Sequence, residues 1–191
     1  MSSNQQSGKS RTNQIVATLH DHMQQFGYAA IDLPMIDNAD MFLIKAGDQI
    51  INHLFTFERH GQLLALRPEF TAAAVHRYIT SDQEQSVARW QFSGDVFIDN
   101  PLKPNGNYQH LAIGAEIIGM QEGVAEAEII AMAAHGLSVL GIRNWEVVIG
   151  HAGLIRQILA QFNLDVKTQR ILLQQLPALR NPKRGKNYVL A

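Results

Sequence analysis

The chain has no cysteine among its 191 residues, which excludes a disulfide framework and a zinc site built from thiolates. It has no apolar run of about 18 residues, the length that would cross a bilayer as a helix, so no membrane partner is expected. It is also short of charge. Charged residues make up 17% and the net charge is −1. Without a basic excess to hold a phosphate backbone, no nucleic-acid partner is expected. The N-terminus shows no secretory pattern, so the cytoplasm is the expected location. What remains is a 46% hydrophobic chain, long enough for one real core and a little more.

The centre of the chain is the stretch Leu63–Gly119. Leu63–Leu66 is a short apolar run stopped by Arg67-Pro68. Thr71–Ile79 is rich in alanine and predicts a helix, with Pro68 just ahead of it and Glu69 where a helix dipole favours an anion. Two readings of Glu69 stand side by side: a cap for that helix, or a carboxylate presented with Thr71 to a pocket. Arg89–Phe97 alternates and is rich in aromatics, which predicts a strand. Asn100–Tyr108 carries turn-forming residues. Gln109–Ile118 predicts a returning strand. Its one face holds Leu111, Ile113, Ala115 and Ile117; the other holds His110, Ala112, Gly114, Glu116 and Ile118. The pair makes an antiparallel hairpin with Glu116 on the less apolar face.

Around this hairpin the expected organisation is simple. Residues 1–10 read as a polar, disordered tail. The tripeptide Gly8-Lys9-Ser10 is not a phosphate loop, because Ser3 stands where that loop needs its first glycine. Thr12–Phe26 is an amphipathic helix ended by Gly27, and Tyr28–Leu33 a strand closed by Pro34. Ile36–Gly47 reads as a short helix plus a loop. Ile50–Phe57 and Leu63–Leu66 flank a hairpin turn around Gly61. Val124–Leu140 is a long helix whose acids Glu122, Glu126 and Glu128 read as caps and a solvated face. Asn144–Ile149 reads as a buried strand, and Gly150–Asn163 and Val166–Leu176 as helices. Lys183, Arg184 and Lys186 form a solvated basic turn. His53 and His60 have no carboxylate at ligand spacing, so no metal site and no cofactor are expected. The fold class that follows is α+β, with a core over residues 11–150 and a helical segment beginning over 151–191.

The central motifs carry a resemblance. RPEFT (Arg67–Thr71) resembles a motif of the histidyl-tRNA synthetases. RWQFSGDVFIDN (Arg89–Asn100) resembles their second class II motif, and GAEIIG (Gly114–Gly119) the strand that closes it. The helix, strand and proline at 12–34 resemble the first class II motif. The likeness covers about residues 12 to 165. It implies a class II synthetase-like antiparallel sheet flanked by helices, and a dimer formed through the first motif. It also implies that Glu69 and Glu116 receive the amino group or imidazole of histidine, that Thr71 orients it, and that Arg67 braces the junction.

The sequence departs from those synthetases at the nucleotide side. Where the resemblance leads one to expect an arginine for the ATP α-phosphate, this chain has Ile98, which cannot neutralise a phosphate. Asn100 replaces a glutamate, Ala112 a glutamine of the histidine pocket, and Phe70 a glycine. The third class II motif does not arrive before Ala191. The pattern is more similar to a paralogous family, the regulatory subunit of ATP phosphoribosyltransferase, which often carries an aromatic or methionine where Phe70 stands. That resemblance implies a non-catalytic partner of a short catalytic subunit in histidine biosynthesis, histidine as ligand, and a homodimer or larger hetero-oligomer. The alternative is a fragment of a histidyl-tRNA synthetase catalytic domain.

Overall fold

A computed structural model describes residues 2–46, 53–81, 86–99 and 106–179. The chain divides into two compact units, Met1–Trp145 and Glu146–Ala191.

The first unit is built on a three-stranded sheet ordered β1-β5-β6, with β1 at Ala29–Ala30, β5 at Ala88–Phe97 and β6 at Gln109–Ile118. β5 and β6 pair antiparallel in an unbroken register from Ala88↔Ile118 to Phe97↔Gln109. β1 runs parallel to β5. A second sheet, ordered β2-β4-β3, uses Ile36–Asn38, Gln62–Leu66 and Thr56–Arg59. Its β3–β4 hairpin turns at His60 and Gly61, whose φ angles of 53° and 74° are those of a two-residue turn with both central residues left-handed.

The two faces of the β5–β6 hairpin are covered differently. On one side lie α1 (Ser2–Gln25) and α4 (Val124–Val139). Met23 and Met132 are buried there with Tyr28, against Ile113, Ala115 and Ile117. On the other side sits α3 (Thr71–Thr80), which buries Ala72, Ala73 and Ala74. Small side chains let this helix lie close to the strands, where Phe70, Trp90, Phe92 and Val96 form the core with Leu33. Ala72 also reaches a smaller cluster with Ala39 and Phe42, from α2 (Ala39–Ala46), and Ala65. The second unit contains α5 (Ala152–Ala160) and α6 (Val166–Leu179). His151 Nδ1 accepts from the Leu154 N–H at 3.0 Å and caps α5. Asp165 accepts from the backbone and hydroxyl of Thr168 and caps α6. Those bonds hold its carboxyl below the usual range.

The fold is α+β as the alternation implies, with four differences in detail. First, α1 begins at Ser2 rather than after a polar tail. Polar residues such as glutamine are good helix formers once a helix continues past them. Second, Tyr28–Leu33 contributes only two ladder residues, although the Ile31 N–H also reaches the Gln91 carbonyl at 2.9 Å. Third, a three-residue strand precedes α2, because Ile36–Asn38 finds partners on β4. Fourth, Asn144–Ile149 is neither strand nor buried. Val148 is 75% and Ile149 74% exposed. An apolar extended segment becomes a strand only through a ladder, and among the described residues none pairs with it. The basic turn at 183–186 and Asn100 lie outside the described residues.

Candidate functional site

The sequence places Arg67, Glu69, Phe70 and Thr71 at the step from β4 into α3, and that step packs on the β5–β6 hairpin. Arg67 is the pivot. It is 4% exposed. Its Nε donates to the Asp95 carbonyl at 2.8 Å and its Nη1 to the Leu33 carbonyl at 2.7 Å. Its own backbone bonds to Met35 and Phe97 on either side. Burial lowers the guanidinium from its ordinary range, and the charges of Asp32 and Asp95 oppose that fall. Gly94 is required here. Its φ is +153°, and a Cβ would stand 2.4 Å from Arg67 Nη2.

Above the guanidinium the groups form a stack. The Phe70 ring lies 4.2 Å from the Arg67 carbon. Phe70 in turn stacks on Phe92 with ring centroids 4.6 Å apart and planes 23° off parallel. Phe92 rests on Gly114, its register partner, where a Cβ would come within 2.8 Å of the ring. Stacked rings and a cation on an aromatic face each add about 0.5–1.5 kcal/mol to the area buried. The phenylalanine in RPEFT is therefore a core residue, 6% exposed.

The polar groups sit beside this stack. Both oxygens of Glu69 accept backbone N–H groups at the start of α3, from Thr71 and, at 2.9 Å, from Ala72. The helix-cap reading of Glu69 is thus what the geometry shows of its hydrogen bonds, and Phe70 itself provides no side-chain cap. The Thr71 hydroxyl donates to Glu116 Oε1 at 2.5 Å, tying α3 to β6. These residues line a cavity of about 250 Å³ together with Phe70, Phe92 and Gly114. Three of the singled-out residues, Glu69, Thr71 and Glu116, come together in it. Arg67 is not among its lining residues and serves from beneath. Ala112 is a wall. Among the described residues, no lysine, arginine or histidine lines the cavity. Ile98 lies just past β5, 39% exposed, its N–H bonded to the Tyr108 carbonyl at 2.9 Å.

Sequence reasoning missed Phe92 and Val96 as walls, although the period of β5 and its register with β6 put both on the same face as Gly114 and Ala112. It also misread Glu128. Far from a solvated acid, Glu128 pairs with Arg89 through both oxygens, at 2.7 and 2.9 Å, and accepts from the Tyr28 hydroxyl at 3.1 Å. The Arg89 bond is the main reason its carboxyl lies below the ordinary range. Glu126, by contrast, does cap α4, accepting from the Gly123 N–H at 2.6 Å. Among the described residues no group of His, Asp and Glu could hold a metal ion, and no helix is long and apolar enough to cross a membrane.

Comparison with known proteins agrees with this architecture. The family model for histidyl-tRNA synthetase matches residues 6–182. A histidine–tRNA ligase from Methanoregula boonei is 35% identical over 169 residues, covering 85% of this chain and 39% of that protein. An ATP phosphoribosyltransferase regulatory subunit from Dehalococcoides mccartyi is 30% identical over 174 residues, covering 87% and 42% respectively. The chain thus spans about two fifths of the length of these relatives. A Bacillus halodurans structure described as an ATP phosphoribosyltransferase regulatory subunit/histidyl-tRNA synthetase superposes with a TM-score of 0.78 at 21% identity, over 91% of this chain and 45% of that one. That likeness shows the fold: a class II synthetase-like sheet flanked by helices. The chain belongs to the histidyl-tRNA synthetase family and resembles both its ligases and its phosphoribosyltransferase regulatory subunits.

Proposed function

We propose that this chain is a non-catalytic, regulatory form of the synthetase fold, acting in L-histidine biosynthesis beside the short catalytic subunit of an ATP phosphoribosyltransferase. In this reading Glu69, Thr71 and Glu116 hold histidine, Arg67 braces the junction that presents them, and no cofactor takes part. The working location is the cytoplasm, and the assembly is a homodimer or a larger hetero-oligomer.

The observation that carries this reading is Ile98 at the position where the resemblance leads one to expect an arginine, beside a cavity whose described lining has no cation. Adenylation needs positive charge beside the phosphate as the transition state forms. A wall of phenylalanine, glycine and two carboxylates offers none. Thr71 and Glu116 are already set against each other and need little rearrangement to receive an amine. The regulatory-subunit relatives support the partner assignment.

Histidine bound here acts on a partner only to the extent that the partner's states bind it unequally. The test is titration calorimetry with histidine, followed by the same titration in Glu116→Ala with Thr71→Val. Measurable heat in the parent and a loss of about tenfold or more in the variant are expected. Equal binding in both would remove the pocket. Co-purification with a short phosphoribosyltransferase catalytic subunit tests the partner. A second reading is a fragment of a histidyl-tRNA synthetase catalytic domain. It is favoured by the histidine–tRNA ligases among the relatives, one of them 35% identical, and is tested by ATP–pyrophosphate exchange.

A further inference from the structure

On the face of the hairpin away from that cavity, β5 presents Gln91 and Ser93 to α1, and His20 meets both. Elimination fixes the direction of each hydrogen bond. Gln91 is 2% exposed, and its side-chain nitrogen lies 2.9 Å from the Tyr28 carbonyl, which only an N–H can satisfy. Gln91 Oε1 is therefore the atom that faces His20 Nδ1, at 2.6 Å, and it can only accept. The imidazole proton is thus on Nδ1. In the neutral ring Nε2 is left as a bare acceptor, and the Ser93 hydroxyl, 2.9 Å away, donates to it. A hydroxyl, a base, and a group that holds the base in one tautomer stand in a row, the order that activates a serine for attack. His20 and Ser93 are half-buried rather than sealed, so solvent can serve both, and hydrogen bonding alone does not call for the pair.

We propose that Ser93 is a reactive nucleophile, with His20 as its base and Gln91 as the positioning residue, and that it takes an acyl group from a small activated ester. This goes beyond the histidine reading and does not depend on it, since the two sites lie on opposite faces of the sheet. In the step, Ser93 Oγ attacks the ester carbonyl carbon while its proton passes to His20 Nε2. The tetrahedral adduct collapses, the C–O bond to the leaving group breaks, and that oxygen takes the proton back from Nε2. The product is an acyl ester of Ser93, which water cleaves with His20 as base again. There is room on either side of the serine along β5. His20 and Gln91 line a cavity of about 260 Å³ with Gln24, Ala29 and Ala30. Asp95 and Leu111 line a wider cleft of about 760 Å³ with Lys9, Thr12 and Asn13. One charge of each sign, Lys9 and Asp95, suits a small acyl donor without net charge. The geometry supplies the attacking half of acyl transfer, so an acyl-serine that accumulates and turns over slowly is expected.

The experiment treats the full chain with p-nitrophenyl acetate and locates the acetyl group by peptide mass spectrometry. Acetylation of Ser93 is expected about a hundredfold faster than that of Ser138, an exposed serine whose hydroxyl donates to the Ala134 carbonyl at 3.4 Å. That comparison is made within one chain and needs no variant. His20→Gln is expected to bring the Ser93 rate down to that of Ser138, and Ser93→Ala to remove the burst of p-nitrophenolate. Heteronuclear NMR of the His20 imidazole reads the tautomer: a proton on Nδ1 is expected in the parent, with the preference lost in Gln91→Leu. Acetylation of Ser93 no faster than that of Ser138 overturns the proposal. So does a Ser93 rate that a folded His20→Gln chain leaves unchanged. A proton on Nε2 also overturns it, since the serine is then not the donor.

Discussion

The two faces of the β5–β6 hairpin are made from the same twenty residues of strand and do opposite things. Beneath α1 and α4 the β6 half is apolar, with Met23 and Met132 packed over Ile113, Ala115 and Ile117, while the β5 half is polar, with Arg89 paired to Glu128 and His20 bonded to Gln91 and Ser93. Beneath α3 the face is built from unlike groups in a fixed order, guanidinium, ring, ring and glycine, and it leaves a cavity beside the stack. Each face leaves a cavity, about 290 Å³ beneath α1 and α4 and about 250 Å³ beside the stack. The difference lies in what lines them: Leu19, Met23, Ile113 and Met132 make the first largely apolar, whereas Glu69, Thr71 and Glu116 bring two carboxylates and a hydroxyl to the second. It teaches that polar groups, rather than empty space, mark the candidate site.

The largest effect should come from breaking the stacked face. Phe92→Ala removes a ring that is 5% exposed and should cost about 4 kcal/mol in denaturant unfolding. Arg67→Met should cost about 3 kcal/mol, because it leaves the carbonyls of Leu33 and Asp95 without their donors. On the other face, Met132→Ala should cost about 2–3 kcal/mol. Met132→Leu, which conserves volume, should cost less than about 1.5 kcal/mol and leave histidine binding unchanged. A volume-conserving change that spared Phe92 just as well, with binding intact, would erase the contrast between the faces.

The smallest effect concerns the clamp that joins α4 to β5. Glu128→Gln should cost about 1 kcal/mol at neutral pH, as a half-exposed but two-bonded ion pair does. The Glu128 carboxyl is depressed in the folded chain, chiefly by its bond to Arg89, against an ordinary value of 4.5. Its contribution is therefore present above that value and is lost as pH falls through the lower folded one. The stability gap between the parent and Glu128→Gln should close in acid. A gap that persisted or widened there would show that the ion pair is not what holds α4. The Tyr28 hydroxyl, donating to the same carboxylate, is shifted upward by burial and by Glu128, so its share is lost only in strong alkali.

What the sequence makes legible is local. Alternation in Arg89–Phe97 and Gln109–Ile118 places both strands and both faces, since a period of two leaves one choice of side. The Arg67–Thr71 junction is legible because proline, acid and alanine run act within a few residues of one another. What fails is decided by distant partners. Glu128 reads as solvated because Arg89, its counter-ion, is 39 positions away. Phe70 announces a filled space but not the stack on Phe92, which needs the register of β5 with β6. Asn144–Ile149 has a strand's composition and no ladder among the described residues. Of the site, the acids and the threonine are readable from motif and alternation. That Glu69 spends its oxygens on α3, leaving Glu116 as the uncompensated charge, is visible only in three dimensions.

The central claim is that a cavity whose described lining carries two carboxylates and no cation holds an amine but does not stabilise charge on a nucleotide phosphate. ATP–pyrophosphate exchange in the presence of histidine and magnesium tests it most directly. The account predicts no exchange above background in a preparation that binds histidine by calorimetry. Histidine-dependent exchange by that same preparation would contradict it.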